Sequence, residues 1–288
     1  MDYLLHIGTI FLIFAIMGLS LNLVVGYTGL PSIAHAAFAG IGAYTSAVLL
    51  RNTDVNFFLI LLVSIAVTMV AAFLIGLVLS KFNDDYYVLA SVGFSYIIYN
   101  VLLNWQEVTR GPLGIPGISK PEIFGFTFKS GEPFFFLALL SVVVIYFLCR
   151  FIVNSSFGRV LKTIREDEKA IQVFGYRVVL YKLAVFVIAA GMAAVAGALD
   201  GSYISFIDPS IFNTMQSVDM LVIVIIGGLA SLRGSLLGTL IFVLLPELLR
   251  FVGLPDGIAG QMRQVLYGLA LMLLMLYRPQ GILGKFRL

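Results

Sequence analysis

Of the 288 residues, 60% are hydrophobic and only 11% are charged, and the mean hydropathy is +1.05. A soluble domain carries about 25% charged and about 45–50% apolar residues, so this composition excludes a soluble enzyme and asks for a bilayer, where apolar side chains can face lipid. The net charge of +3 says little without its distribution, and the single cysteine, Cys149, allows no intrachain disulfide and reads as a small buried hydrophobe.

The chain opens with Met1-Asp2-Tyr3-Leu4 and no basic stretch. The apolar run that follows, Leu4–Val25, is too long for a signal peptide and reads as a retained first span. Leu30–Leu50 is less regular, rich in Gly, Ala and Ser. Phe57–Ser80, Tyr86–Trp105, Pro133–Phe151, Leu183–Leu199 and Met262–Tyr277 approach the length of roughly 20 residues that a spanning helix needs. Met220–Val252 is apolar but interrupted by Gly227-Gly228 and by Ser231-Leu232-Arg233-Gly234. The expected fold is an all-α integral membrane protein. It is a polytopic bundle of eight or nine spans in one domain, residues 1–288, with Gly-broken or re-entrant segments. Asn22, Asn100 and Asn104 read as hydrogen-bonding glue between helices, and Glu247 and Arg250 as a local ion pair.

Orientation follows from Lys and Arg in short loops. Arg150, Arg159, Lys162, Arg165, Lys169, Arg177 and Lys182 crowd one stretch, and Arg278, Lys285 and Arg287 end the chain. Both regions are expected to be cytoplasmic. The Gln106–Glu132 loop, with Pro112, Pro116 and Pro121, then lies outside, as do Gly201–Ser217 and Gly253–Gln261. That parity requires Met220–Val252 to dip inward and return. Its first arm, Met220–Ala230, reaches only about 16 Å at 1.5 Å per residue, too short to cross, so a broken or re-entrant element is expected.

Three features point to function. Gly29-Leu30-Pro31-Ser32-Ile33-Ala34-His35 echoes Gly228-Leu229-Ala230-Ser231-Leu232-Arg233-Gly234. Paired broken segments mark a pathway, because unwound backbone at membrane depth is tolerated only where it lines a cavity or is buried in protein; chance similarity in a Gly-rich chain is the alternative. His35, an ionisable residue at membrane depth, is either functional or a neutral imidazole packed between helices. From Phe157 to Gly175, apolar residues at 157, 160/161, 164, 171 and 174 share one helical face. Arg165 and Glu168 are spaced for an i,i+3 pair, and Gly175 is placed to end the helix. The acidic Glu166-Asp167-Glu168 suits docking to a protein better than to an anionic lipid surface. No metal cluster, catalytic set or phosphate-binding loop is present. Gly281-Ile282-Leu283-Gly284-Lys285 lacks the spacing of such a loop, so any ATP hydrolysis belongs to another chain.

Leu19-Ser20-Leu21-Asn22-Leu23-Val24-Val25-Gly26-Tyr27-Thr28-Gly29, Ser32-Ile33-Ala34-His35-Ala36-Ala37-Phe38 and Gly40-Ile41-Gly42-Ala43-Tyr44 resemble the N-terminal signature of branched-chain amino-acid ABC permeases of the LivM type. Gly158-Arg159, Ile164-Arg165-Glu166-Asp167-Glu168, Gly227-Gly228-Leu229-Ala230-Ser231-Leu232, Pro246-Glu247-Leu248 and Tyr277-Arg278-Pro279-Gln280-Gly281 continue it in order. The resemblance implies an importer of the bacterial or archaeal plasma membrane. Its other parts would be a second, LivH-like permease, two cytoplasmic ATPase subunits and an extracytoplasmic binding protein. The substrate would be a branched-chain or related hydrophobic amino acid, with no cofactor and no nucleic acid. Urea, amides or aromatic acids are alternative cargoes within the family. By the same resemblance a coupling helix at about 159–175 would carry Arg165, Glu166, Asp167, Glu168, Ala170, Phe174 and Gly175 to the ATPase. Asn22, Ser32, His35, Ser231 and Arg233 would border the path. The longest family members have an additional N-terminal span. The side of residue 1 is therefore open: outside if Leu30–Leu50 spans, inside if that segment is re-entrant. An ion-coupled carrier is the competing class and would have to rest on His35 and Arg233; a receptor or structural membrane subunit is the third.

Overall fold

A computed structural model describes residues 2–53, 55–82, 84–123, 126–128, 131–251, 256–277 and 280–284. Its elements in chain order are α1 (Asp2–Asn22, continued by a π-helical turn, Leu23–Tyr27), α2 (His35–Asn52), α3 (Phe57–Leu79), α4 (Asp84–Asn104) and α5 (Gln106–Thr109). The loop after α5 holds β1 (Ile115–Pro116), β2 (Glu122–Ile123) and β3 (Phe126–Thr127). Then come α6 (Glu132–Asn154), α7 (Ser156–Glu166), α8 (Glu168–Val173), α9 (Val178–Ile204), β4 (Phe206–Ile207), α10 (Thr214–Gly227), α11 (Leu232–Phe251) and α12 (Asp256–Tyr277). The strands are two-residue clasps, β1 on β4 and β2 on β3.

The bundle is built inside out relative to a soluble protein. On α3 the buried stripe runs Phe57, Ile60, Ser64, Thr68, Ala72, Gly76, Leu79, at the three-to-four-residue spacing of one helical face. Ser64, Thr68, Ala72 and Gly76 are inside, while Leu62, Val63, Val70 and Leu74 face out. Small residues at the interface let backbones approach where lipid supplies no hydrophobic drive. The Ser64 hydroxyl donates to the Gly42 carbonyl at 2.6 Å. The centre is the crossing of α2 with α9, where a Cβ on Gly197 would stand 2.0 Å from the Ala39 carbonyl oxygen. Gly197→Ala therefore forces the two helices apart. The expected outcome is a lower melting midpoint in detergent, corresponding to the roughly 1–3 kcal/mol of an overpacked core, read by size-exclusion chromatography after heating.

Five helices are long and apolar enough to cross a membrane, six if α10 and α11 count as one bent span, among the described residues. Eight or nine were expected, and the difference has physical causes. The 18 residues of α2 are diluted by Gly, Ala, Ser and Thr. α12 is 22 residues long, but its first turns read Gly260-Gln261-Met262-Arg263-Gln264. α10 and α11 meet at 119°, as a hairpin. α10 has 14 residues, about 21 Å, still short of the roughly 30 Å hydrocarbon core. The expected broken or re-entrant element is present as this bent pair.

Contacts also order the two ends of the bundle. Tyr3 donates to the Glu247 carboxylate, and the His6 ring lies 2.8 Å from the Tyr203 hydroxyl. At the other end Lys162 lies over the Tyr27 ring, while the Ile282 and Leu283 amides donate to the Ile226 and Gly227 carbonyls at 3.1 and 3.0 Å. The start of α1 is thus opposite α7, and residues 282–283 are on the α7 side. α2 begins inside the bundle: His35 meets Ser20, seven residues and about 10 Å before the end of the π turn. Glu247 accepts from Tyr3; the Arg250 side chain of the expected pair lies outside the described residues, as do Arg278, Lys285 and Arg287.

Candidate functional site

The site is a junction where the end of α1, the two broken segments and α7 meet. α1 does not finish as a regular helix. Leu23–Tyr27 widens to a π turn, a form that concentrates at functional positions, and the Thr28 hydroxyl closes it by donating to the Leu23 carbonyl at 2.9 Å. The chain then turns at Gly29, φ +73°, a left-handed conformation that glycine adopts without the Cβ penalty.

A helix C-terminus leaves carbonyls without intrahelical donors and carries the negative end of the dipole. Arg165 of α7 answers both, because its guanidinium donates to the Gly26 carbonyl. Its aliphatic stem fills the space beside Gly29, where a Cβ would stand 2.8 Å from the Arg165 Cγ. Burial pulls the Arg165 pKa below its ordinary value. Lys162 adds a second cation, 5.7 Å above the Tyr27 ring.

The second break reaches the same place. Asn22 is fully buried. Its Oδ1 accepts from the Ala230 amide at 3.0 Å, and its Nδ2 donates to the Ser231 carbonyl at 3.0 Å and the Ser235 hydroxyl at 2.6 Å. Gly228 has φ +111° and Ala230 φ +56°. The echo in sequence is therefore an echo in structure: two Gly-broken segments, both resting on the last turns of α1. The first break is pinned from the other side by α4, where the Ile33 amide donates to Ser91 Oγ at 3.0 Å and Ser95 Oγ donates to the Ile33 carbonyl at 2.6 Å.

Of the residues expected along a path, Asn22 and Ser231 are joined directly. Ser32 is buried and accepts from the Ala34 amide. His35 is buried, with its Nε2 2.7 Å from Ser20 Oγ. Arg233 is exposed, and with Arg150 and Lys162 it lines a cavity of about 440 Å³ at the α7 end.

The expected single helix over 159–175 is two. Asp167, φ −154°, ends α7 and caps α8, accepting from the Ala170 amide at 2.9 Å, as Asp does at an N-cap. The expected Arg165–Glu168 pair is absent for that reason, since the break turns the two side chains apart. Arg165 points to α1, and Glu168 pairs with Lys182 of α9 at 2.5 Å. Gly175, φ +84°, ends the element as expected, its amide donating to the Gln172 carbonyl at 3.0 Å. Glu166, Asp167 and Lys169 face solvent. Val173 and Phe174 are 87% and 80% exposed, an apolar tip on an otherwise charged element. Ser91, Ser95 and Ser235 were missed by sequence reasoning; the i,i+4 spacing of Ser91 and Ser95 within an apolar span was the available signal.

A lipid-facing bundle with paired broken segments and a charged element at one end defines a polytopic membrane permease. The chain belongs to the family described as branched-chain amino acid transport system / permease component, which matches residues 3–276. The family is one of transport permeases. The chain is 32% identical over 304 residues to the high-affinity branched-chain amino acid transport system permease protein LivM of Salmonella typhimurium, an alignment covering 98% of this chain and 70% of that one. The LivM protein of Escherichia coli gives the same identity and coverage. A probable branched-chain amino acid transport permease protein LivM of Methanocaldococcus jannaschii is 24% identical over 95% of this chain and 91% of its own length. No solved structure is a significant match.

Proposed function

We propose that this chain is one of two membrane subunits of an ATP-driven importer and passes branched-chain or related hydrophobic amino acids, delivered by an extracytoplasmic binding protein. A LivH-like permease would be its partner, and two cytoplasmic ATPases its motor. The observation that carries the reading is the α8 tip. Val173 and Phe174 stand in water beside a groove of about 520 Å³ that Phe157, Val160, Ile171, Phe174 and Tyr181 help to line. An apolar tip beside an apolar groove, set among charged residues, suits a protein interface. The solvent-facing Glu166, Asp167 and Lys169 would form its rim. With α7 and α8 on the cytoplasmic side of the plasma membrane, the end at residues 282–283 is cytoplasmic and the start of α1 is outside.

In this reading the whole of residues 1–288 forms a single permease domain. The residues bordering the broken segments (Asn22, Ser32, His35, Ser231 and Arg233) hold the mobile walls of the path. Coupling runs from Arg165 through Gly26 into the first break. Transport then needs the nucleotide-bound ATPases to favour one arrangement of the breaks over another.

The test is proteoliposomes of the assembled transporter. ATP-dependent uptake of leucine that requires the binding protein supports the reading, and uptake driven by an ion gradient without ATPases defeats it. Val173→Asp together with Phe174→Ala is expected to release the ATPase subunits in co-purification while the permease pair stays intact.

A further inference from the structure

We infer that the outward face of α4, through Tyr96, Asn100 and Asn104, lines the path for a zwitterionic amino acid, on the side where a second permease subunit closes it. The inference rests on the reading of the chain as half of an importer. Among the described residues α3, α4, α6 and α12 turn broad faces outward, and they differ in chemistry. The exposed residues of α3 are of the kind of Leu62, Val70 and Leu74; those of α6 include Phe136, Leu140 and Val144. Both faces suit lipid. On α4 the positions 93, 96, 100 and 104 share one exposed face, at helical spacing, and carry Gly, Tyr, Asn and Asn. Tyr96 is 57% exposed. With Ile97, Val101 and Trp105 these polar residues line an open groove of about 560 Å³.

Each asparagine returns one N–H to its own helix, Asn100 to the Tyr96 carbonyl and Asn104 to the Asn100 carbonyl, both at 2.8 Å. Their Oδ1 atoms have no hydrogen-bond donor among the described residues. An unsatisfied polar group in hydrocarbon costs several kcal/mol, and two stacked a turn apart would make α4 a poor lipid-facing helix. Water or the ammonium of a free amino acid can donate to them, and the second Nδ2–H of each asparagine can donate to the amino acid's carboxylate. The neighbouring Ile97 and Val101 offer an apolar strip for an aliphatic side chain. The same helix holds the first break, through Ser91 and Ser95 on Ile33. A shift of that break under Arg165 therefore reaches this face directly.

The experiment places single cysteines at Tyr96, Asn100 and Asn104, with Val70→Cys on α3 and Val144→Cys on α6 as lipid-face references. Cys149 is fully buried and serves as a silent background. The assembled transporter in proteoliposomes is treated with a membrane-impermeant methanethiosulfonate. The expected result is modification at Asn100→Cys at least about tenfold faster than at Val144→Cys, slowed by leucine and binding protein. Asn100→Leu together with Asn104→Leu is expected to cut leucine uptake by a similar factor, with all subunits still co-purifying. A reaction at Asn100→Cys as slow as at the α3 and α6 positions, or full uptake by the double leucine variant, overturns the inference. Should wild-type proteoliposomes show no ATP-dependent uptake, the importer reading fails while the labelling rates still decide whether this face is in water.

Discussion

Arg165→Ala is expected to cut ATP-driven leucine uptake by tenfold or more, inside the roughly 5–150-fold range of ordinary coupling free energies, with ATPase subunits bound and hydrolysing. The loss follows from where the side chain ends. Arg165 does not face the solvent side on which Glu166, Asp167 and Lys169 lie. It runs inward, packs its stem on Gly29 and donates to the Gly26 carbonyl. Removing it leaves the docking surface of α7 and α8 unaltered and takes away the hydrogen bond that ties that surface to the Gly26 carbonyl, while Lys162 stays over the Tyr27 ring. Hydrolysis without transport is the signature. Arg165→Lys keeps a donor and a charge but has a single point of contact in place of a planar fork, so partial recovery is expected. Uptake unchanged in the alanine variant would show that force enters the bundle elsewhere. In contrast, Glu168→Gln weakens a partly exposed pair with Lys182, worth at most about 1 kcal/mol, and is expected to alter uptake less than twofold.

Much of this architecture was legible in the sequence, and the reasons are local. Leu, Val and Phe runs near 20 residues state the lipid-facing helices α3 and α6. Gly227-Gly228 and the following Ser-Leu-Arg-Gly state a break, because adjacent glycines weaken a helix and a charged residue follows them within an apolar run. Gly175 marked the end of the charged element. What was hidden depends on partners distant in sequence. Nothing near Arg165 says that it bonds to Gly26, and its spacing to Glu168 suggested a pair that the Asp167 cap forbids. Asn100 and Asn104 looked equivalent to Asn22, yet Asn22 is buried glue while the other two face outward, bonded among the described residues to their own helix. Periodicity places a residue on a face; only packing says what the face meets.

Asn22→Leu is expected to lower stability by several kcal/mol, the largest structural effect of any single change considered. Three hydrogen bonds end on this one amide, and none of its atoms is reached by water. A leucine fills similar volume but leaves the Ala230 amide without its acceptor and the Ser235 hydroxyl without the Asn22 donor, while the Ser231 carbonyl keeps the Ser235 amide. Each unsatisfied buried group costs about 1–3 kcal/mol. Ala230 adds to this because it sits at φ +56°, a conformation that costs a residue with a Cβ about 1–2 kcal/mol and that the Asn22 bond holds in place. Without that bond the Gly228–Ser231 turn has a reason to relax toward right-handed geometry, carrying the start of α11 with it. Two measurements separate lost bonding from lost packing. Asn22→Leu should melt well below wild type in detergent and lose uptake in proteoliposomes. Ala230→Gly, which removes the φ penalty, should raise the melting midpoint alone and recover part of the loss in the double variant. A leucine variant melting within about a degree of wild type would mean that the second break stands without α1. The two halves of the echo would then move independently.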